Sequence, residues 1–211
     1  MSDTSVFTES LSVADAAARR RSIRAFSPEP IPHADFEAIF DVVRRAPSAF
    51  NAQPWRFVVV ESPEVKEQLV AAANNQRQVR SAPATIVLYT DMADTLATLA
   101  TLEHTQHPGM DPERRAGQAA GIRRTFAAQS EAERETWAYA QGHIALGYVV
   151  LAAESFGYQT SPMAGFDAEA VKKLLGLPAH VRVPALVAIG RGTEEGFPHH
   201  RHAHDRVVRY V

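Results

Sequence analysis

The chain has 211 residues, 45% of them hydrophobic, with a formal charge of −2 and no cysteine. That length and apolar content suffice for one sizeable core, so residues 1–211 are expected to form a single domain. The near-neutral charge excludes a global attraction for nucleic acid or anionic lipid, and the lack of cysteine excludes disulfide scaffolds, thiolate nucleophiles and iron–sulfur clusters.

The first ten residues are polar, without an apolar signal-type run, and no later run is long enough to span a bilayer. A cytoplasmic protein is the default expectation. The first distinctive segment is Arg20-Arg21-Ser22-Ile23-Arg24-Ala25-Phe26. Its guanidinium groups can hold a phosphate bidentately, with a hydroxyl beside them, although such clusters are usually solvated charge runs.

From Pro32 the apolar residues Phe36, Ile39, Phe40 and Val43 recur at i, i+3, i+4 and i+7, which predicts an amphipathic helix ended by Pro47. The second distinctive run follows at once: Ala46-Pro47-Ser48-Ala49-Phe50-Asn51-Ala52-Gln53-Pro54-Trp55. Ser48, Asn51 and Gln53 can trace the polar edge of a heterocycle, or serve only as turn residues, while Trp55 and Phe57 read as core. The two runs flank one helix, and together they suggest a cradle for a phosphorylated, ring-bearing ligand.

Arg56 to Glu61 reads as a buried strand, Ser62-Pro63 as the capped start of a helix through about Ala73, and Ala84 to Thr90 as a second strand. The stretch 91–129 is polar, broken by His107-Pro108-Gly109 and weakly periodic, and is expected to be a variable lid or insertion. Ser130 and Glu133 have capping-box spacing before a helix apolar on more than one face, ended by Gly157. Ser161 to Phe166 reads as a tight turn whose backbone N–H groups can face a ligand, and Asp167 caps a short helix through Leu175. Val183 to Gly190 is a third strand, and the alternating tail Asp205 to Val211 is expected to be a fourth.

Helices of unequal length and the lack of a glycine-rich strand-to-helix turn favour an α+β fold over a doubly wound one. Gly190, Gly192 and Gly196 mimic a dinucleotide fingerprint, but the spacing is wrong and no helix follows. His199, His200, His202 and His204 lack a fixed carboxylate partner and read as a solvated tail, so no metal site is expected.

In order and spacing, Arg-x-Ser-x-Arg at Arg20, Pro-Ser-x-x-Asn-x-Gln-Pro-Trp at Pro47, Pro-Met-x-Gly-Phe-Asp at Pro162 and the late Arg201 resemble the FMN-dependent nitroreductase family. The likeness runs from about Val13 to Tyr210 and is weakest over 91–129. It implies a three-layer α+β fold, with a central mostly antiparallel sheet wrapped by helices, in an intertwined homodimer. It further implies FMN as cofactor, NADH or NADPH as donor, and no catalytic side chain beyond assistance from Arg24 and the Gly165 backbone.

Carried over by resemblance, Arg20, Arg21, Ser22 and Arg24 lie on FMN, with Arg20 at the phosphate and Arg24 nearer the pyrimidine edge. Arg201 joins the phosphate, with His199 where many relatives have lysine. Pro47, Ser48, Ala49, Asn51 and Gln53 match a segment that reaches the flavin from the partner subunit, and Gln141 matches a similar contact. The Pro162, Met163, Ala164 and Gly165 turn matches the donor to flavin N5, while Asn75 and Gln78 match a pair at the pyrimidine and ribityl end. The resemblance implies reduction of a nitroaromatic, quinone or other electron-poor acceptor by ping-pong exchange. Flavin, enone or aldehyde reduction, dehalogenation, and a non-enzymatic flavin- or metal-binding role are the alternatives.

Overall fold

The computed structural model describes residues 10–98 and 111–211. Its centre is a four-stranded antiparallel sheet in the order β1-β2-β4-β3, formed by β1 (Trp55–Val60), β2 (Ala84–Thr90), β3 (Gln159–Met163) and β4 (Arg182–Gly190). The middle strands β2 and β4 are almost wholly buried, as their unbroken apolar sequence requires when helices cover both faces.

Helix α1 (Val13–Arg19), α2 (His33–Val43) and the 25-residue α7 (Glu131–Ser155) cover one face of the sheet. On the other, α3 (Pro63–Ala72) and α8 (Ala168–Leu175) pack together, with α4 (Arg77–Ser81) following α3. The apolar stripe of α2 lies inward as its periodicity requires, with Phe36, Ile39 and Val43 buried and the Phe40 ring 5.1 Å from that of Phe57. Ser62 caps α3 ahead of Pro63, and Ser130 with Glu133 forms the expected capping box on α7. Asp167 accepts from the N–H groups of Glu169 and Ala170 to start α8, and Gly176, at φ +62°, ends it.

Helix α7 packs on the sheet with Gly142, Ala145, Val149, Ala152 and Ala153 buried and with Leu146 and Tyr148 partly so. A Cβ on Gly142 would meet Thr90 Cγ2 at 2.9 Å and Pro184 Cγ at 3.0 Å, so glycine sets how closely helix and sheet approach. Ile144 is left exposed and Leu151 partly exposed.

The structure corrects two sequence expectations. The tail is not a strand: α9 (His204–Val207) is a single exposed helical turn, and the residues after it pair with no strand. The fourth strand is instead β3, which carries Pro162 and ends within the segment read as a turn. A proline is tolerated there because β3 is the outer strand of the sheet. The turn itself is confined to residues 164–166.

Within 91–129 the described residues form α5 (Met92–Thr98) and α6 (Pro112–Ala127), and part of the expected lid, 99–110, lies outside the described residues. Helix α6 is polar on most sides but buries Ile122 and Phe126, the latter 4.9 Å from the Trp137 ring and 5.8 Å from that of Phe50. No helix among the described residues is long and apolar enough to cross a membrane.

Candidate active site

The Arg20 to Phe26 run leaves α1 and runs along the outer edge of β3. Ser22 forms a parallel bridge with Thr160, Phe26 an antiparallel bridge with Gly192, and the Ile23 N–H donates to the Thr160 carbonyl at 3.0 Å. The segment after β4 passes close over this run. A Cβ on Gly196, where φ is +70°, would stand 2.9 Å from Ile23 Cδ1 and 3.0 Å from Arg21 Cβ. The glycines that mimic a dinucleotide fingerprint are therefore points of close chain crossing.

The three arginines of the run have different surroundings. Arg21 Nη1 donates to the carbonyls of Ala18, Arg19 and Arg20 at 2.8, 2.9 and 3.1 Å, satisfying groups that the end of α1 leaves open. Arg24 donates its backbone N–H to Glu194 Oε1 at 2.7 Å and lays its guanidinium 5.5 Å from the centre of the Phe197 ring. Arg20 is half-buried, and its guanidinium donates to none of the described residues. Burial is the main cause that lowers its pKa, followed by the nearby Arg201, while Glu154 opposes the shift and Arg21 adds to it.

Glu154, on α7, is 6% exposed, and its Oε2 is buried without a hydrogen bond. Burial raises its carboxyl above the ordinary value, and Arg20, Arg19 and Arg21 pull the other way. His199 returns to the same place from the tail, with Nε2 2.6 Å from the Arg20 carbonyl oxygen and 2.7 Å from Arg21 Nη1. Arg201 anchors itself through Nη1 on the His200 carbonyl at 2.7 Å. A half-buried guanidinium with unspent donors, like charges beside it and one buried counter-charge below is the donor set a phosphate fits.

A polar chain links this cradle to the turn after β3. Glu194 also accepts from Arg77 at 3.0 Å, and in the turn just before Arg77 two side chains, Asn74 Nδ2 and Gln76 Nε2, donate to the Gly165 carbonyl at 3.0 and 2.8 Å. Asn74 and Asn75 both hold left-handed backbone, φ 54° and 56°, a conformation asparagine tolerates better than most residues. These bonds hold the Gly165 carbonyl on one side of the exposed turn, and the N–H groups of Ala164 and Gly165 donate to none of the described residues. Pro162 and Met163 close β3 ahead of it. Asn75 is exposed beside this turn, whereas Gln78 is buried and donates to Gln76 Oε1 at 2.7 Å, orienting that amide from behind.

The second sequence run forms a separate structure. After Pro47 comes a 3-10 turn (Ala49–Asn51), and three left-handed residues fall within four positions here, Phe50 and Asn51 in the turn and Gln53 after it, at φ 58°, 52° and 45°. Ser48 Oγ accepts the Gln53 N–H at 2.9 Å, Gln141 Oε1 on α7 accepts the Ala49 N–H at 3.0 Å, and Arg56 holds the Gln53 carbonyl at 2.9 Å. Holding several non-glycine residues at positive φ costs about 1–3 kcal/mol each. Such strain is typical of backbone shaped for a ligand.

The two runs do not meet within one chain in the way their sequence adjacency suggests. The loop sits on α7 at Gln141 and the arginine cradle at Glu154, which at 1.5 Å per residue lie about 20 Å apart along the helix.

A cavity of about 400 Å³ opens beside the 164–166 turn, lined among others by Ala164, Phe166, Tyr139, His180 and Arg182. At its wall, His180 Nε2 stands 3.0 Å from Asp91 Oδ1. Burial alone would raise the Asp91 carboxyl, but the Asp94 N–H, the His180 ring and Arg56 outweigh it and hold the carboxyl below its ordinary value.

With this geometry in place, comparison with known proteins decides the family. The nitroreductase family model matches residues 17–191. The chain belongs to the nitroreductase family. It is 47% identical over 193 residues to a protein of Thermus thermophilus named NADH dehydrogenase, covering 92% of this chain and 93% of that one. It is 34% identical to YdgI of Bacillus subtilis, named as an NAD(P)H nitroreductase, over 90% of this chain and 93% of that one. A protein of Exiguobacterium sibiricum, named as a nitroreductase and crystallised with FMN, superposes with a TM-score of 0.88 at 24% identity, covering 97% and 99% of the two chains. That likeness shows the fold. In this member of the nitroreductase family, sequence reasoning missed Glu154, Asn74, Gln76 and Glu194. Only the adjacent asparagines carried a signal, as candidate left-handed turn residues.

Proposed function

We propose that this chain binds FMN between the Arg20, Arg201 cradle and the Gly165 turn and uses it to pass two electrons from NADH or NADPH to a nitroaromatic, quinone or other electron-poor acceptor. Donor and acceptor exchange in ping-pong fashion through one pocket. Family membership supports an FMN-dependent NAD(P)H oxidoreductase, and the observation that carries the site is the unspent, half-buried Arg20 guanidinium, with Arg24 of the same run joined through Glu194 to Arg77, next to the Asn74 and Gln76 side chains that hold the Gly165 carbonyl.

When bound, FMN supplies two-electron redox chemistry at its N5. The chain supplies binding and electrostatics. Arg20 and Arg201 hold the phosphate, with Ser22 beside them. Arg24 brings a cation to the pyrimidine edge, favouring the reduced, anionic ring, and the Ala164 or Gly165 N–H offers a hydrogen bond at N5. No side chain acts as nucleophile or general base, which accords with the lack of cysteine and of any Ser-His-Asp spacing in the sequence.

The site is completed by a second copy. The 47–53 loop and Gln141 are too far along α7 to reach their own cradle, so they serve the partner's. An apolar outer face supports this: Val13 (74% exposed), Val42, Tyr148 and Leu151 line a cavity of about 370 Å³ running between α1, α2 and α7. Helix α6 roofs the pocket, because it rests through Phe126 on Phe50 of that loop.

The test is the visible absorption spectrum of the purified protein, followed anaerobically on adding NADH and then NADPH. A bound-flavin spectrum bleached by either donor supports the reading. A colourless protein that takes up no FMN overturns it.

A further inference from the structure

Neutral and protonated imidazole are not equivalent at His199. Its Nε2 lies 2.6 Å from the Arg20 carbonyl oxygen, which requires a donor, and 2.7 Å from Arg21 Nη1, which requires an acceptor. One nitrogen cannot do both. With the proton on Nδ1, Nε2 accepts from Arg21 and leaves the Arg20 carbonyl to the longer bond from Arg21 alone. With Nε2 protonated, the carbonyl is served and Arg21 faces an N–H group.

Full protonation adds a cation to a place that already holds Arg20 and Arg21 from the end of α1, Arg201 from the tail and Arg19 from the last turn of α1. The single described counter-charge is Glu154 beneath them on α7. An anion seated on these guanidiniums reverses that balance and favours the charged ring.

We propose that His199 is a proton-gated arm of the phosphate site, so that a phosphate monoester binds more tightly as the imidazole gains its proton. This rests on the FMN reading and goes beyond it, since it makes cofactor retention depend on pH through one residue. Proton and phosphate are linked ligands, each raising the affinity for the other. Imidazoles titrate near pH 6.5 in general, within reach of physiological change.

The experiment measures FMN affinity by flavin fluorescence quenching, using the full chain freed of flavin, from about pH 5.5 to about pH 8.5. His199→Lys keeps its charge throughout this range. Because the phosphate itself titrates near pH 6, the readout is the ratio of the two proteins' dissociation constants, in which ligand ionisation cancels. The ratio of wild type to His199→Lys is expected to be near one at the acid end and to rise about tenfold towards the alkaline end, the loss of one exposed charge-assisted hydrogen bond. Riboflavin, which has no phosphate, is expected to show no such rise.

A flat ratio with tight FMN binding overturns the role of His199 and leaves the FMN site standing. A rise shared by riboflavin overturns the assignment to phosphate. Failure of both folded proteins to bind FMN at any pH overturns the cofactor reading and this inference with it.

Discussion

Arg20→Ala removes two things at once, and the structure lets them be separated. The guanidinium has unspent donors for a phosphate, and its charge faces Glu154, which is 6% exposed. Two charge-assisted hydrogen bonds, discounted for a half-exposed group, amount to about 3 kcal/mol, or about a hundredfold in FMN dissociation constant. The same change leaves a buried carboxyl without the cation that does most to favour its charged form, which costs about 1–2 kcal/mol in stability. At about 2–4 °C per kcal/mol for a chain of this size, the melting temperature of the flavin-free protein falls by roughly 2–8 °C. Glu154→Gln in the Arg20→Ala background is expected to restore the melting temperature but not the affinity. Calorimetry and fluorescence titration on the two variants and wild type provide the assay. Unchanged FMN affinity in folded Arg20→Ala would refute the phosphate assignment, and a melting temperature that Glu154→Gln fails to raise would refute the charge pairing.

Tyr158 donates to Asp35 Oδ2 at 2.6 Å with both residues buried, so Tyr158→Phe, which keeps the ring beneath Arg191, is expected to cost about 3 kcal/mol in urea unfolding. A loss below about 0.5 kcal/mol would contradict this, since that is the size of an ordinary surface change. The Asp91 carboxyl is held below its ordinary value, so its contribution is present above the unfolded-state pKa of about 4 and is lost as pH falls through the lower folded value. The stability gap between wild type and Asp91→Asn is therefore expected to narrow in acid, measured by denaturant titration at several pH values, and a gap that widens there would count against it. Gln141→Leu deprives the Ala49 N–H of its acceptor and frees the strained 47–53 loop, so FMN is expected to dissociate several-fold faster in stopped-flow exchange; an unchanged rate argues against that loop as a flavin contact.

The sequence alone determined what local rules govern. The α2 stripe, the Ser62-Pro63 and Ser130–Glu133 starts, the Asp167 cap and the apolar runs of β1, β2 and β4 each follow from side-chain spacing or from a backbone group needing a nearby partner. The ordered motifs likewise pointed to the family. What the tertiary structure decided depends on contacts between residues distant in the chain. Strand β3, with its proline and buried polar residues, exists because β4 offers it an edge, whereas the alternating tail pairs with no strand of the sheet. Glu154 reads as one more charge on a helix until α1 folds back to set Arg20 against it, and Arg21 reads as Arg20's equal until the end of α1 takes up its donors. The two motif runs, neighbours in sequence, are held about 20 Å apart by the rise of α7. Periodicity and capping act over a few residues, whereas burial, charge pairing and strand partnership are properties of the packed chain.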